Sequence, residues 1–243
     1  MKKNKIYAMI PARAGSARLK MKNLALIDGK PLISYAINAA KNSGIFDKII
    51  VNSENEIFST IANEFDVEFY HRNDHLGSSQ TKSDEVIADF MYHHKNTDIV
   101  VWVNPIAPFQ AGNEIKKTIQ HFIKNRLESL ITTEEKNVHC MFNNKPVNYN
   151  QNQQFERTQD LVPVEAFCYT LMMWNTNSFL KEFKQNGHAL FCGKFGTYKV
   201  NKLSAIIIKD QRDLMLADYL MKGLKAQGLS DYLINYHPLV KKF

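Results

Sequence analysis

The chain has 243 residues, of which 44% are hydrophobic and 23% charged, enough for a substantial core in one α/β domain and too evenly mixed for a disordered or fibrous protein. Lysine and arginine outnumber aspartate and glutamate by 31 to 24, and the formal charge of +7 is dispersed rather than gathered in a tail or one basic helix, which favours a small polyanion over nucleic acid. Three cysteines with no Cys-x-x-Cys pair argue against a disulfide scaffold or structural zinc site, and no apolar run has the length to span a membrane.

Met1 to Lys5 leads straight into an apolar stretch, so no signal peptide is expected, and the reduced cysteines point to the cytoplasm. Ile6 to Ile10 reads as a buried first strand. It runs into Pro11-Ala12-Arg13-Ala14-Gly15-Ser16 and on through Arg18, Lys20, Lys22 and Asn23, with four cations between residues 13 and 22 and no carboxylate. Gly15 permits a turn closed to other residues. Such a loop at a strand end can aim backbone N–H groups and cations at a phosphate chain. It is neither a Walker loop nor Gly-x-Gly-x-x-Gly, and its plain structural alternative is a solvated basic turn.

Asp28-Gly29 predicts a turn, and Pro31 begins a helix with Leu32, Ile33, Ala36, Ile37 and Ala40 at helical spacing, stopped by Ser43-Gly44. Lys48 to Val51 is a compact strand, Ile57, Ile61 and Phe65 share a helix face, and Val67 to Tyr70 is a further strand. Asp84 is placed to cap a helix whose inward face carries Val86, Ile87 and Phe90. Ile99 to Val103 is apolar throughout, as a strand covered on both faces is. An amphipathic helix over Gly112 to Asn125 and a strand at Leu130 to Thr132 follow. The alternation predicts a Rossmann-like α/β fold with a doubly wound, mainly parallel sheet.

The second half breaks that rhythm, and residues 137–170 read roughly as an irregular insertion around the polar stretch Asn143 to Gln154. Phe167 to Met173 and Ala205 to Ile208 read as strands, and Asp213 to Leu224 as a closing helix stopped near Gly228. Neither a repeat nor a long linker divides the chain, so residues 1–243 are expected to form a single domain. Its site should lie beyond the C-terminal strand ends, where the loops after Ile10, Tyr70, Val103 and Ile208 meet.

Three blocks in order, Pro11-Ala12-Arg13-x-Gly15-Ser16, Lys22-Asn23-Leu24 and Gly29-Lys30-Pro31-Leu32-Ile33, resemble the start of the cytidylyltransferases that make CMP-activated acidic sugars. These are the CMP-sialic acid (acylneuraminate), CMP-legionaminate and CMP-Kdo synthetases. The resemblance runs nearly full length and fades after Asn125. It implies a nucleotidyltransferase-like domain that transfers CMP from CTP to a nonulosonic or related 2-keto sugar acid, releases pyrophosphate and uses Mg2+. Small-molecule partners are implied, CTP and an acidic sugar, with no nucleic acid and no membrane. Enzymes of this kind are often dimers in which the irregular second half reaches across, so a homodimer is compatible.

The resemblance assigns Arg13 and Lys22 to the triphosphate and to catalysis, with Ala12, Gly15 and Ser16 in the same loop and Asn23 near the nucleoside. The physics agrees, because fixed cations stabilise the charge that builds on the α-phosphate and the departing pyrophosphate. The stretch from Arg72 to Ser83 resembles the segment that reads the cytosine edge, through Arg72, Leu76, Ser78 and Ser83. Asn104 stands where the family has Gln; its amide serves either a base or ribose, or an Asn-Pro turn that closes the strand. Arg157-Thr158-Gln159-Asp160-Leu161 resembles an acidic-sugar element. There Arg157, with Gln159, is the natural clamp for a carboxylate.

One departure stands out. The family's two metal-holding aspartates near the C-terminus fall on Ile207 and Lys209, and residues two apart on a strand share a face, so the pair is gone rather than rotated. Asp210 is adjacent, and Ile106 occupies the Kdo-type alternative. The protein ligands of the metal are therefore unknown from sequence, and three readings stand. Magnesium rides mainly on phosphate oxygens; or Lys209 supplies positive charge in its place; or the chain is a catalytically lapsed nucleotide-binding homologue. A nucleotidyltransferase with a different acceptor is a further alternative.

Overall fold

Strand β1, Ile6–Pro11, is buried at every residue. Its side chains alternate between two cores, with Ile6, Ala8 and Ile10 in one and Tyr7 and Met9 in the other. This two-sided burial is why the run reads as unbroken apolar sequence. A computed structural model describes residues 4–16 and 18–227. Six further strands join β1 in one sheet: β2 Lys48–Ser53, β3 Glu68–His71, β4 Ile99–Val103, β5 Ser129–Lys136, β6 Val164–Asn175 and β7 Phe195–Lys199. The spatial order is β7-β5-β6-β4-β1-β2-β3. Strand β6 runs antiparallel to β4 and β5, and the other pairs are parallel.

Helices α1 (Leu32–Ser43), α2 (Ile57–Glu64) and α4 (Gly112–Lys124) pack on one face of the sheet, and α3 (Ser83–His93) and α5 (Thr176–Asn186) on the other. The sheet is thus mainly parallel and doubly wound, as the alternation predicts. Gly44 ends α1 in the left-handed region at φ 61°. Gly112 lets α4 start against the end of α1, where a Cβ would sit 2.7 Å from backbone atoms of Asn42 and Ser43. Helix α6 (Gln211–Gln227) lies against the small hairpin of Leu26–Ile27 and Lys30–Pro31. There Asp218 accepts the Asp28 N–H at 2.7 Å, and Lys225 pairs with Asp28.

The chain lays β1, β2 and β3 in one direction and then returns to place β4 on the opposite side of β1. That reversal opens a crevice at the C-terminal ends of the central strands, which is where sheets of this type bind ligands.

Two predicted features are corrected. Asp84 does not cap α3, because the helix begins at Ser83 and Glu85 reaches back to accept the Lys82 N–H at 2.9 Å. Asp84 instead points inward, 7% exposed, and accepts the N–H groups of Ala189 at 2.5 Å and Leu190 at 3.1 Å. These donors are distant in sequence, so no local pattern announces them. The apolar run Ala205 to Ile208 is not a sheet strand either. Its last residue is buried in a small core with Ile27, Leu32 and Ala217, and its N–H makes one bond, 2.9 Å, to the Ile106 carbonyl. The edge strand is β7, Phe-Gly-Thr-Tyr-Lys, paired on one side and without a strong apolar signal.

The irregular region is shorter than expected at its far end, since Val164 to Phe167 already pair with Lys136 to Thr133. Residues 137–163 carry a hairpin, Met141–Phe142 with Lys145–Pro146, turned through Asn143 and Asn144 at φ 49° and 60°. Strand β6 then bulges between Phe167 and Met172, with Tyr169 at φ 56°. The predicted stop at Gly228 lies outside the described residues.

Because Asp84 satisfies two backbone donors, Asp84→Ala should cost about 2–4 kcal/mol in urea unfolding. Asp84→Asn keeps an acceptor oxygen and should cost clearly less; equal losses would contradict the role assigned to the carboxyl oxygen.

Candidate active site

A cavity of about 400 Å³ opens at the C-terminal ends of β1, β3 and β4. The loop after β1 contributes Arg13, Arg18 and Lys22 to its lining, and the segment entering α3 contributes the hydroxyls of Ser78, Ser79, Thr81 and Ser83. Trp102 and Asn104 come from the end of β4, and the indole N–H of Trp102 is buried without a partner. With Arg72 the lining has four cations, and among its described residues there is no Asp or Glu.

That imbalance is felt at Lys22. Burial, then repulsion from Arg18 and Arg13, hold its ammonium below the ordinary lysine range, while Asp213 opposes the shift. An anion entering the cavity would relieve both the repulsion and part of the lost solvation. Lys22 opens a short 3-10 turn, Lys22–Leu24, entered through Met21 at φ 51°, and its Nζ donates to the Ile208 carbonyl at 3.1 Å. The Ile208 N–H reaches Ile106, so the segment before α6 ties Lys22 to the turn after β4.

The shape of the cationic loop is set from behind. Arg72 is buried at the end of β3, and its Nη2 donates to the Ala12 carbonyl at 3.1 Å and to Glu54 Oε2 at 2.8 Å. Glu54 follows β2, and its Oε1 accepts the Ala14 N–H at 2.9 Å. One ion pair therefore joins the ends of β1, β2 and β3. Gly77 presses against it, and a Cβ at that position would overlap the Glu54 carboxylate. Sequence reasoning missed Glu54; the available signal was a carboxylate directly after a strand whose C-terminal end faces the site.

Of the residues expected to bind nucleotide, Ala12, Arg13, Ser16, Lys22, Asn23, Arg72, Ser83 and Asn104 line the one cavity. Gly15 is exposed and is not part of that lining. Asn104 closes its strand: Nδ2 donates to the Tyr169 carbonyl at 2.9 Å, and Oδ1 accepts the Ile106 N–H at 3.4 Å. Arg157 and Gln159 sit exposed on the irregular region and do not line the cavity, and Arg157 Nε pairs with Asp160 at 2.7 Å. Lys209 is exposed and outside the lining, with its N–H on Asp213 Oδ2 at 2.7 Å.

The residues present do not fit a protein-held magnesium ion. Asp210 caps α6, its Oδ1 accepting the N–H groups of Arg212 at 2.9 Å and Asp213 at 3.1 Å. Asp213 returns the contact to the Asp210 N–H, and both Glu54 oxygens are engaged. Among the described residues no cluster of His, Cys, Asp or Glu could ligate a metal ion. A cation that demands hard oxygen ligands finds no carboxylate on these walls among the described residues.

A doubly wound sheet with a cationic loop at its switch point defines an α/β protein built to receive an anionic ligand there. Residues 7–171 match the profile of the cytidylyltransferase family, and the chain belongs to that family. It is 26% identical over 243 residues to an N-acylneuraminate cytidylyltransferase of Escherichia coli O18:K1:H7, covering 95% of this chain and 55% of that protein. It is 30% identical over 189 residues to a pseudaminic acid cytidylyltransferase of Campylobacter jejuni, covering 73% of this chain and 82% of the relative. The chain thus spans about half the length of the Escherichia coli relative and about a third of a matched Streptococcus agalactiae N-acylneuraminate cytidylyltransferase.

Solved structures share the fold at low identity. A CMP:2-keto-3-deoxy-manno-octonic acid synthetase complexed with CTP superposes with a TM-score of 0.68 at 15% identity, covering 90% of this chain and 99% of the other. The 4-diphosphocytidyl-2C-methyl-D-erythritol synthase of Anaerococcus prevotii gives 0.67 at 15% identity, with 90% and 96% covered.

Removing one member of a buried pair leaves the other charge uncompensated, so Glu54→Ala should lower stability by about 3–5 kcal/mol in chemical denaturation. The double variant Glu54→Gln/Arg72→Met should lose less than Glu54→Ala. Simple addition of the losses of Glu54→Gln and Arg72→Met, each measured singly, would contradict the coupling.

Proposed function

We propose that this protein transfers CMP from CTP to a nonulosonic or related 2-keto sugar acid. A hydroxyl of the acceptor attacks the α-phosphate, the new P–O bond forms as the bond to the leaving pyrophosphate breaks, and the hydroxyl proton is released. One observation carries the reading: Arg13, Arg18 and Lys22 converge in a cavity that also presents a wall of hydroxyls. The relatives that act on N-acylneuraminate and pseudaminic acid supply the acceptor class.

In this reading Arg13 and Lys22 meet the α-phosphate and the pyrophosphate, and the backbone from Ala12 to Ser16 lies along the triphosphate. Asn23 and Asn104 lie near the nucleoside. Ser83 and its neighbouring hydroxyls meet the base, and Arg72 acts chiefly by fixing the loop through Ala12 and Glu54. Fixed cations of this kind lower the barrier because they stabilise charge that grows as the reaction proceeds.

Arg157 and Gln159 do not line the cavity of their own chain, so the reading has them reach the sugar carboxylate from a second copy, in a homodimer in which residues 137–163 cross between subunits. Exposed Phe142, Phe155 and Val162 on that segment, at 71%, 74% and 74%, support such a contact. The three cysteines are unpaired, which suits a cytoplasmic enzyme working where CTP is made.

A second reading, a protein that binds the nucleotide without turning it over, is favoured by the missing carboxylates on the cavity wall. Pyrophosphate release separates the two. With CTP, magnesium and N-acylneuraminic or pseudaminic acid, turnover is expected that depends on the sugar acid, and Arg13→Ala should reduce it about 100- to 1,000-fold. No pyrophosphate with any sugar acid would favour the second reading. Wild-type affinity of Arg13→Ala for CTP in calorimetry would remove the phosphate role of that arginine.

A further inference from the structure

The carboxylates nearest the cationic loop are largely committed, and the buried oxygen there without a partner, Asn23 Oδ1, is a neutral amide oxygen. Glu54 gives both carboxylate oxygens to Arg72 and the Ala14 N–H, and one oxygen of each of Asp210 and Asp213 is engaged at the start of α6. The nearby carbonyls are similarly occupied: Ala12 by Arg72, Arg13 by the Asn23 amide at 3.4 Å, and Ile208 by Lys22. Apolar Ile106 lines the cavity beside Asn104. What faces the space is positive charge, from Arg13, Arg18 and Lys22, with Lys22 held in place by its bond to Ile208.

We propose that this pocket grips the nucleotide triphosphate through protein cations alone, so that magnesium does not strengthen nucleotide binding and the metal-free nucleotide is the preferred ligand. The inference rests on the reading above that the ligand is CTP. The reason is a balance of charges. Magnesium chelated by the phosphates cancels part of the negative charge that the loop attracts. A site that held the ion would return that loss through metal–carboxylate bonds, and among the described residues this lining has no carboxylate to make them. What is left is a weaker anion facing the same cations.

Calorimetric titration of the full chain with CTP, once with excess magnesium and once with a chelator at matched ionic strength, decides it. The metal-free titration should show tighter binding than the magnesium titration, by roughly two- to fivefold for one partly screened charge contact. Equal or weaker binding after chelation overturns the proposal while leaving the nucleotide reading intact. No binding under either condition overturns both. Ile106→Asp places a carboxylate on the cavity wall, and in a variant shown to be folded by its circular dichroism it should reverse the preference, so that magnesium tightens CTP. An unchanged preference in that folded variant would overturn the assignment of the effect to the missing carboxylate.

Discussion

The buried contact between Glu54 and Arg72 is the constraint on which the rest of the site depends. A loop carrying Arg13, Arg18, Lys20 and Lys22 with no carboxylate of its own repels itself and has no internal reason to adopt one shape. The shape is imposed from the opposite side of the backbone. Glu54 takes the Ala14 N–H, Arg72 takes the Ala12 carbonyl, and the two side chains hold each other at 2.8 Å. A buried pair of this kind adds little net stability over an apolar substitute, so its value lies in specifying one arrangement. The arrangement specified sets cations toward the cavity before any ligand arrives, and such preorganisation is where electrostatic catalysis gains most.

The remainder of the fold extends the same logic to the other walls. The reversal of strand order beside β1 brings the loops after β1 and β4 to one crevice. The β6 bulge presents the Tyr169 and Thr170 carbonyls to Asn104, one to its side chain at 2.9 Å and one to its backbone at 3.0 Å, and so fixes the turn after β4. The extended segment before α6 joins that turn to Lys22. The β6 bulge and the segment before α6 thus each hold the cavity through two well-placed hydrogen bonds.

Much of this was legible in the sequence, for definite reasons. Strands covered on both faces must be apolar at every residue, so β1 and β4 declared themselves, and the helices between strands followed from their spacing. The cationic loop was legible because a cluster of like charge next to a glycine has little structural use. What stayed hidden depends on distance along the chain. Glu54 looks like any residue after a strand until Arg72, 18 positions later, is folded against it. Edge strand β7 carries no apolar signature because one side of it is unpaired, while Ala205 to Ile208 reads as a strand because a small core under α6 takes Ile206 and Ile208. Asn104 kept two readings open in sequence, and the Tyr169 carbonyl that occupies its amide belongs to a bulge that no spacing rule foretells.

A crystal structure of the complex with CTP tests the central claim most directly. The account predicts the triphosphate within hydrogen-bonding reach of Arg13, Arg18 and Lys22, with Arg72 still bound to Glu54 and the backbone from Ala12 to Ala14 where it lies without ligand. Nucleotide bound elsewhere, or Arg72 released from Glu54 to reach the phosphates, would contradict it.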